Sequence, residues 1–105
     1  MAQVVERTVW RIHHGKHAEV TAFVNEFKRL VLKLGISKVE IHSGLAGKDV
    51  GCIIMHQYFK NAEDNGRLND AFGKDPDIEA HFKKMQSQPQ MADFISHDMY
   101  VVEEN

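Results

Sequence analysis

From Val4 to His13 the chain interleaves Val, Thr, Trp and Ile with Glu6, Arg7 and Arg11, the composition of a strand whose two faces meet different surroundings. Gly15 and Lys16 interrupt it. Val20, Phe23, Val24, Phe27, Leu30, Val31 and Leu34 follow at offsets of three and four, which predicts a long amphipathic helix closed by Gly35. Lys38–Ser43 sets Val39 and Ile41 against Glu40 and His42 as a short alternating strand, and Cys52–Phe59 is a second strand, denser in apolar residues. The "GLAGKDVG" between them carries three glycines and an aspartate and reads as a hairpin loop. Asn61 suits the N-cap of a short helix with Leu68, Ala71 and Phe72 on one side, stopped at Gly73. Asp75 caps the next helix and Pro76 fits its first position; Ile78, His81, Phe82 and Met85 form its buried stripe, which runs out by Pro89. Phe94–Val102 alternates loosely as a last strand, and Glu103–Asn105 reads as a solvated tail.

The order strand, helix, strand, strand, helix pair, strand is the split βαβ plan of a ferredoxin-like α+β domain, a four-stranded antiparallel sheet with its helices on one face. Residues 1–105 suffice for one core and are too few for two, so a single domain is expected. The sheet's strands carry Trp10, Ile54, Tyr58 and Met99 among others, too much apolar surface to leave bare. A second copy of the chain is therefore expected on the open face, giving a homodimer.

Composition narrows the partners. Net charge is −2, with Lys and Arg scattered among Asp and Glu, so the cationic surface that nucleic acid requires is missing. Cys52 is the single cysteine, which excludes an internal disulfide and a multi-cysteine zinc site; between Gly51 and Ile53 it reads as a small core residue. No basic segment precedes an apolar run, and Lys28, Arg29 and Lys33 break the longest apolar stretches, so a soluble, cytoplasmic protein is expected, with no membrane partner. The Gly-Lys pair of the hairpin loop lacks the Ser or Thr of a phosphate-binding loop, having Asp49 instead, and a strand follows it where a helix is required.

The turn "HHGK" after the first strand, the "GLAGKDVG" hairpin and "FGKDPDIEAHFKKM" in the second helical segment resemble the dimeric α+β barrel superfamily, which includes antibiotic-biosynthesis-monooxygenase-like and NIPSNAP-like proteins. The resemblance covers nearly the whole chain and implies a fold more sharply than a reaction, since the superfamily includes cofactor-free oxygenases, isomerases, haem-degrading enzymes and ligand-binding domains. Its haem-degrading members carry a proximal histidine at a position similar to His81, which implies a haem ligand there. Their catalytic Asn would fall on Thr8 and their Trp on Ala71, with Phe72 the nearest aromatic, so ring opening is not implied.

Seven histidines are the other candidates for chemistry. His13 and His14 are consecutive at a strand end and point to opposite faces, which argues against a shared metal ion. His17, three residues before Val20, falls on the apolar side of the helix's first turn, where its ring could close over the sheet end and carry a proton. An even register between the hairpin strands places His42 and His56 on one face with Glu40, Ile54 and Tyr58, and leaves Val39, Ile41, Ile53, Met55 and Phe59 to meet the helices. Were His97 to join that pair, three imidazoles and a carboxylate would form a ligand set for zinc or ferrous iron, a weak candidate. Trp10 offers an aromatic wall, Arg11 a cation for an anionic oxygen, and His81 or His17 a base. Two functions stay open. One is a small-molecule oxygenase or isomerase that works without a cofactor, on a small aromatic or phenolic compound held between sheet and helices. The other is a ligand-binding or association module, with haem as the alternative ligand.

Overall fold

The computed structural model describes residues 2–103, so the last two residues of the expected tail lie outside it. Its elements run β1 (Val4–Ile12), α1 (His17–Leu34), β2 (Lys38–Ser43), β3 (Cys52–Phe59), α2 (Ala62–Lys74), α3 (Pro76–Gln86) and β4 (Ala92–Val101). The strands form one antiparallel sheet in the order β2-β3-β1-β4, with all three helices packed on one side of it. This is the α+β, ferredoxin-like split βαβ arrangement that the hydrophobic pattern predicts.

Local chemistry explains the boundaries. α1 ends where Gly35 takes φ 109°, a left-handed conformation that costs glycine nothing, and its N–H bonds Leu32 O at 3.1 Å. α2 does not stop at Gly73 as its sequence predicts. It continues to Lys74 and breaks at Asp75, which is extended (φ −79°, ψ 120°) because a residue before proline is sterically driven out of the helical region. The same Asp75 then caps α3, accepting from Asp77 N and Ile78 N at 2.9 Å each.

Parity along the strands sorts the two faces. Val4, Glu6, Thr8, Trp10 and Ile12 of β1 share a face with Ile53, Met55, Gln57 and Phe59 of β3, and this face meets the helices. There Phe27, Leu30 and Val31 of α1, Leu68 of α2 and Ile78 of α3 close the main core. Trp10 and Met99 thus belong to the helix side, while Ile54 and Tyr58 lie on the open face, as the even register requires. The β2–β3 hairpin loop is tied back to that open face: Asp49 pairs with Arg7 at 2.7 Å, and Arg11 donates to Val50 O at 3.3 Å. Val9, Cys52 and Ile54 consequently form a small buried cluster on the open side. Gly44 is required in this loop, because a Cβ there would sit 1.9 Å from Asp49 O.

β4 is the exposed edge. Between Val9 and Trp10 its register with β1 shifts by one residue, leaving Ile95 as an extra residue, so that Phe94 faces Trp10 and His97 faces Thr8. Phe94, Ile95, Met99, Tyr100, Val101 and Val102 are all exposed apolar side chains.

Candidate functional site

Three hollows lie on the helix side of the sheet. A groove of about 610 Å³ separates α1 from α3 and includes His81. A pocket of about 420 Å³ lies under the α3–β4 connection. An inner cavity of about 290 Å³ lies between the sheet and the helices and has Trp10 in common with the previous pocket. Phe27, Phe72 and Phe82 line the inner cavity, edge to face at centroid separations of 5.4–6.1 Å, rather than filling it.

The polar part of the inner cavity comes from β1, β4 and α2. Glu6 is only 5% exposed, a position that a carboxylate tolerates only with partners. Asn61 caps α2 through Asp64 N at 2.8 Å and so sets the helix's start. One turn on, Asn65 and Asn69, four residues apart on one face, each donate a side-chain N–H to Glu6 Oε2, at 2.6 and 2.8 Å. Glu6 Oε1 stands 3.0 Å from His97 Nε2 in an ion-pair contact. The other imidazole nitrogen, Nδ1, is 2.7 Å from Thr8 Oγ1. A carboxylate beside Nε2 draws the ring proton to that nitrogen, which leaves Nδ1 to accept from the Thr8 hydroxyl. The order is hydroxyl, imidazole, carboxylate, paired amides. Gln57, also buried and lining the cavity, makes no side-chain hydrogen bond among the described residues.

The sequence candidates fall in different places. Trp10 forms part of the inner cavity's wall. Arg11 lies on the opposite face of the sheet, bonded to the hairpin loop, and so does not reach a ligand in the cavity. His17 is exposed at the start of α1, 3.5 Å from Thr21 Oγ1, and lines none of the three hollows. His13 pairs with Asp93 at 2.9 Å. His42 and His56 do share the open face with Glu40, ring centroids 5.0 Å apart, but His97 does not join them: the shift at Ile95 sends it to the helix side. Among the described residues no three His, Cys, Asp or Glu side chains converge as a metal site.

His81 also needs correction. It faces α1 instead of the sheet, stacks on Phe23 at 4.0 Å with an 11° interplanar angle, and places Nε2 3.1 Å from Phe23 O. Its residues do not fit a haem in the inner cavity: His81 does not line that cavity, its outer nitrogen Nε2 is taken by Phe23 O, and one ring face is covered by Phe23. The haem reading is set aside on that geometry.

Four groups with shifted pKa values lie on the open face, while the other such pair, Glu26 and Arg29, is on α1. Hydrogen bonding from Arg7 holds the Asp49 carboxyl below its ordinary range, and the Tyr58 hydroxyl, donating at 3.0 Å, does the same to Glu40 while its own pKa rises. Burial, then the charges of His42 and Arg7, push His56 down, with Glu40 opposing; its buried Nδ1 has no hydrogen-bond partner among the described residues.

Glu6, Gln57, Asn65 and Asn69 are site residues that the sequence reading missed, and Thr8 entered it only as the position of another family's Asn. A signal was present: Glu6 and Thr8 are polar residues at the same strand parity as Val4 and Trp10.

No protein-family model matches the chain, and no curated protein matches it. Solved structures do. SnoaB, a cofactor-independent oxygenase from Streptomyces nogalater, aligns with a TM-score of 0.71 at 10% identity, over 100% of this chain and 97% of that one. A NIPSNAP family protein from Agrobacterium tumefaciens gives 0.69 at 16% identity over 98% and 93%. An uncharacterised NIPSNAP domain protein from Burkholderia xenovorans gives 0.71 at 11% over 97% and 94%. At these identities the likeness shows the fold alone: the chain has the ferredoxin-like α+β fold of these structures.

Proposed function

We propose that the inner cavity binds a small, electron-rich phenolic compound and that Thr8 and His97 remove its hydroxyl proton, making the protein a cofactor-independent oxygenase. The observation that carries this reading is the hydroxyl, imidazole and carboxylate sequence of Thr8, His97 and Glu6 in an aromatic-walled cavity. A phenol seated there passes its proton to Thr8 Oγ1 as Thr8 passes its own to His97 Nδ1, and Glu6 stabilises the imidazolium. The resulting aryloxide is electron-rich enough to give one electron to dioxygen. Recombination with the superoxide so formed makes a C–O bond, the peroxide takes the proton back from His97 through Thr8, and loss of water from the hydroperoxide leaves a quinone. The likeness to a cofactor-independent oxygenase supports this reading at the level of fold. An isomerase would need the same proton transfer without dioxygen.

The exposed apolar side chains of β4 support association with a second copy, and the lone free Cys52 supports a cytoplasmic location as part of the same proposal. No helix among the described residues is long and apolar enough to cross a membrane.

Trp10 is the chain's single tryptophan and lines the cavity, so a bound ring should quench its fluorescence. Dihydroxynaphthalene is expected to quench it saturably and to be consumed with one dioxygen per molecule, and His97→Ala to lose consumption by at least about 100-fold. Quenching without oxygen uptake would rule out the oxygenase; no quenching would rule out the ligand class.

A further inference from the structure

The geometry points to a second chemistry in the same cavity: Thr8 is a nucleophile, and the protein transfers short acyl groups from aryl esters to water through an acyl-Thr8 intermediate. This goes beyond the oxygenase reading, since it requires no dioxygen and makes a covalent bond to the chain.

A threonine hydroxyl is a weak nucleophile unless a base takes its proton during attack and a third group holds that base. Here the base is His97, directly opposite Thr8 in the β1–β4 register, with Nδ1 2.7 Å from Oγ1. The holding group is Glu6, two residues before Thr8 on the same face, with Oε1 3.0 Å from Nε2. Glu6 is fixed by the amides of Asn65 and Asn69 on its other oxygen, so it cannot swing away from the imidazole without leaving two donors unpaired. The same roles, recognised by geometry, define hydroxyl-imidazole-carboxylate triads on unrelated folds.

Such a site also requires a donor for the oxyanion. Gln57 is the candidate. Glu6 faces Gln57 and Thr8 faces Met55 in the β1–β3 register, so Gln57 is Thr8's diagonal neighbour, and a long side chain spans such a separation of about 7–8 Å. Its amide is uncommitted among the described residues and borders the cavity.

The step balances without an external oxidant or reductant. His97 Nδ1 takes the Thr8 proton as Oγ1 bonds the ester carbonyl carbon, and the carbonyl π pair moves onto oxygen, where Gln57 Nε2–H donates to it. That pair returns, the bond to the aryloxide breaks, and the aryloxide leaves with the proton from Nδ1. Solvent water, deprotonated in turn by Nδ1, then adds to the acyl carbon, and Oγ1 leaves and recovers its proton. Ester and water become acid and phenol. The cavity of about 290 Å³ limits the substrate to a small aryl ester with a short acyl group.

The test uses para-nitrophenyl acetate with the intact protein. A burst of nitrophenolate approaching one per chain is expected, together with a mass increase of one acetyl group that peptide fragmentation places on Thr8. Thr8→Ser should keep the burst, and Thr8→Val, which preserves the packing shape, should abolish it and lower steady turnover by at least about 100-fold. Acetyl found on a lysine or on another histidine, or a Thr8→Val turnover equal to the parent's, overturns the proposal; the adduct site on the parent protein decides it even if a variant misfolds. Dihydroxynaphthalene quenching and oxygen uptake, measured on the same preparation, report the oxygenase reading separately.

Discussion

Replacing Glu6 with Gln removes one negative charge while keeping the outline of the side chain, so its effect isolates what that charge does. Asn65 and Asn69 both donate to a single oxygen of Glu6, at 2.6 and 2.8 Å, and Glu6 and Asn65 are buried. Hydrogen bonds to a charged partner contribute about 1.5–3 kcal/mol, against about 0.5–1.5 kcal/mol between neutral groups, so converting both costs about 2 kcal/mol. In a domain of this size that lowers Tm by roughly 10 °C. The substitution has a second, diagnostic effect. With its carbonyl oxygen kept toward the two asparagines, Gln presents its NH2 to His97 Nε2, which must then accept. The ring proton moves to Nδ1 and is donated to Thr8, reversing the bond that activates the hydroxyl. Urea unfolding followed by Trp10 fluorescence, with an unchanged m value, measures the first effect, and nitrogen chemical shifts of His97 report the second. A Glu6→Gln protein within about 0.5 kcal/mol of the parent, with the His97 tautomer unaltered, refutes the network as described.

Other outcomes follow from the same geometry. His81→Ala removes a stacked ring and a hydrogen bond to Phe23 O, and is expected to cost about 2 kcal/mol in urea unfolding while leaving dihydroxynaphthalene quenching unchanged. Gly44→Ala places a Cβ 1.9 Å from a backbone oxygen, so the hairpin loop must shift; a loss of about 1–3 kcal/mol in the same assay is expected. His56 is held below its ordinary 6.5, so the unfolded chain takes up its proton first: stability is full above 6.5 and falls as pH drops from there through the native pKa. Urea midpoints on both sides of 6.5 should show that slope, and His56→Gln should flatten it.

Periodicity carried most of the fold, because each element announces itself within a window of its own length. Val39 and Ile41 against Glu40 and His42 fixed both faces of β2, and the register shared with β3 confirms that sorting. The site was less legible because its members come from three elements, and only their juxtaposition carries meaning. Glu6 and Thr8 in isolation are ordinary strand residues, and an i, i+4 pair of asparagines is an ordinary helix surface. The histidines that periodicity singles out lie elsewhere: His17 is exposed and His81 packs against Phe23, while His97, whose face alternation left open, is the one in the inner cavity. Its placement depends on the extra residue at Ile95, which puts Phe94 and His97 on one face at a spacing of three. Strict alternation from Phe94 would have sent His97 to the other side.

The pairing of β1 with β4 joins Thr8 to His97 across 89 positions of the chain. β1, β2, β3 and the Glu6–asparagine bonds come from the first 74 residues, whereas the imidazole that completes the triad comes only with the last strand. The proposed chemistry therefore depends on the final strand, and a chain clipped before β4 would keep Glu6 and Thr8 yet be inert toward aryl esters.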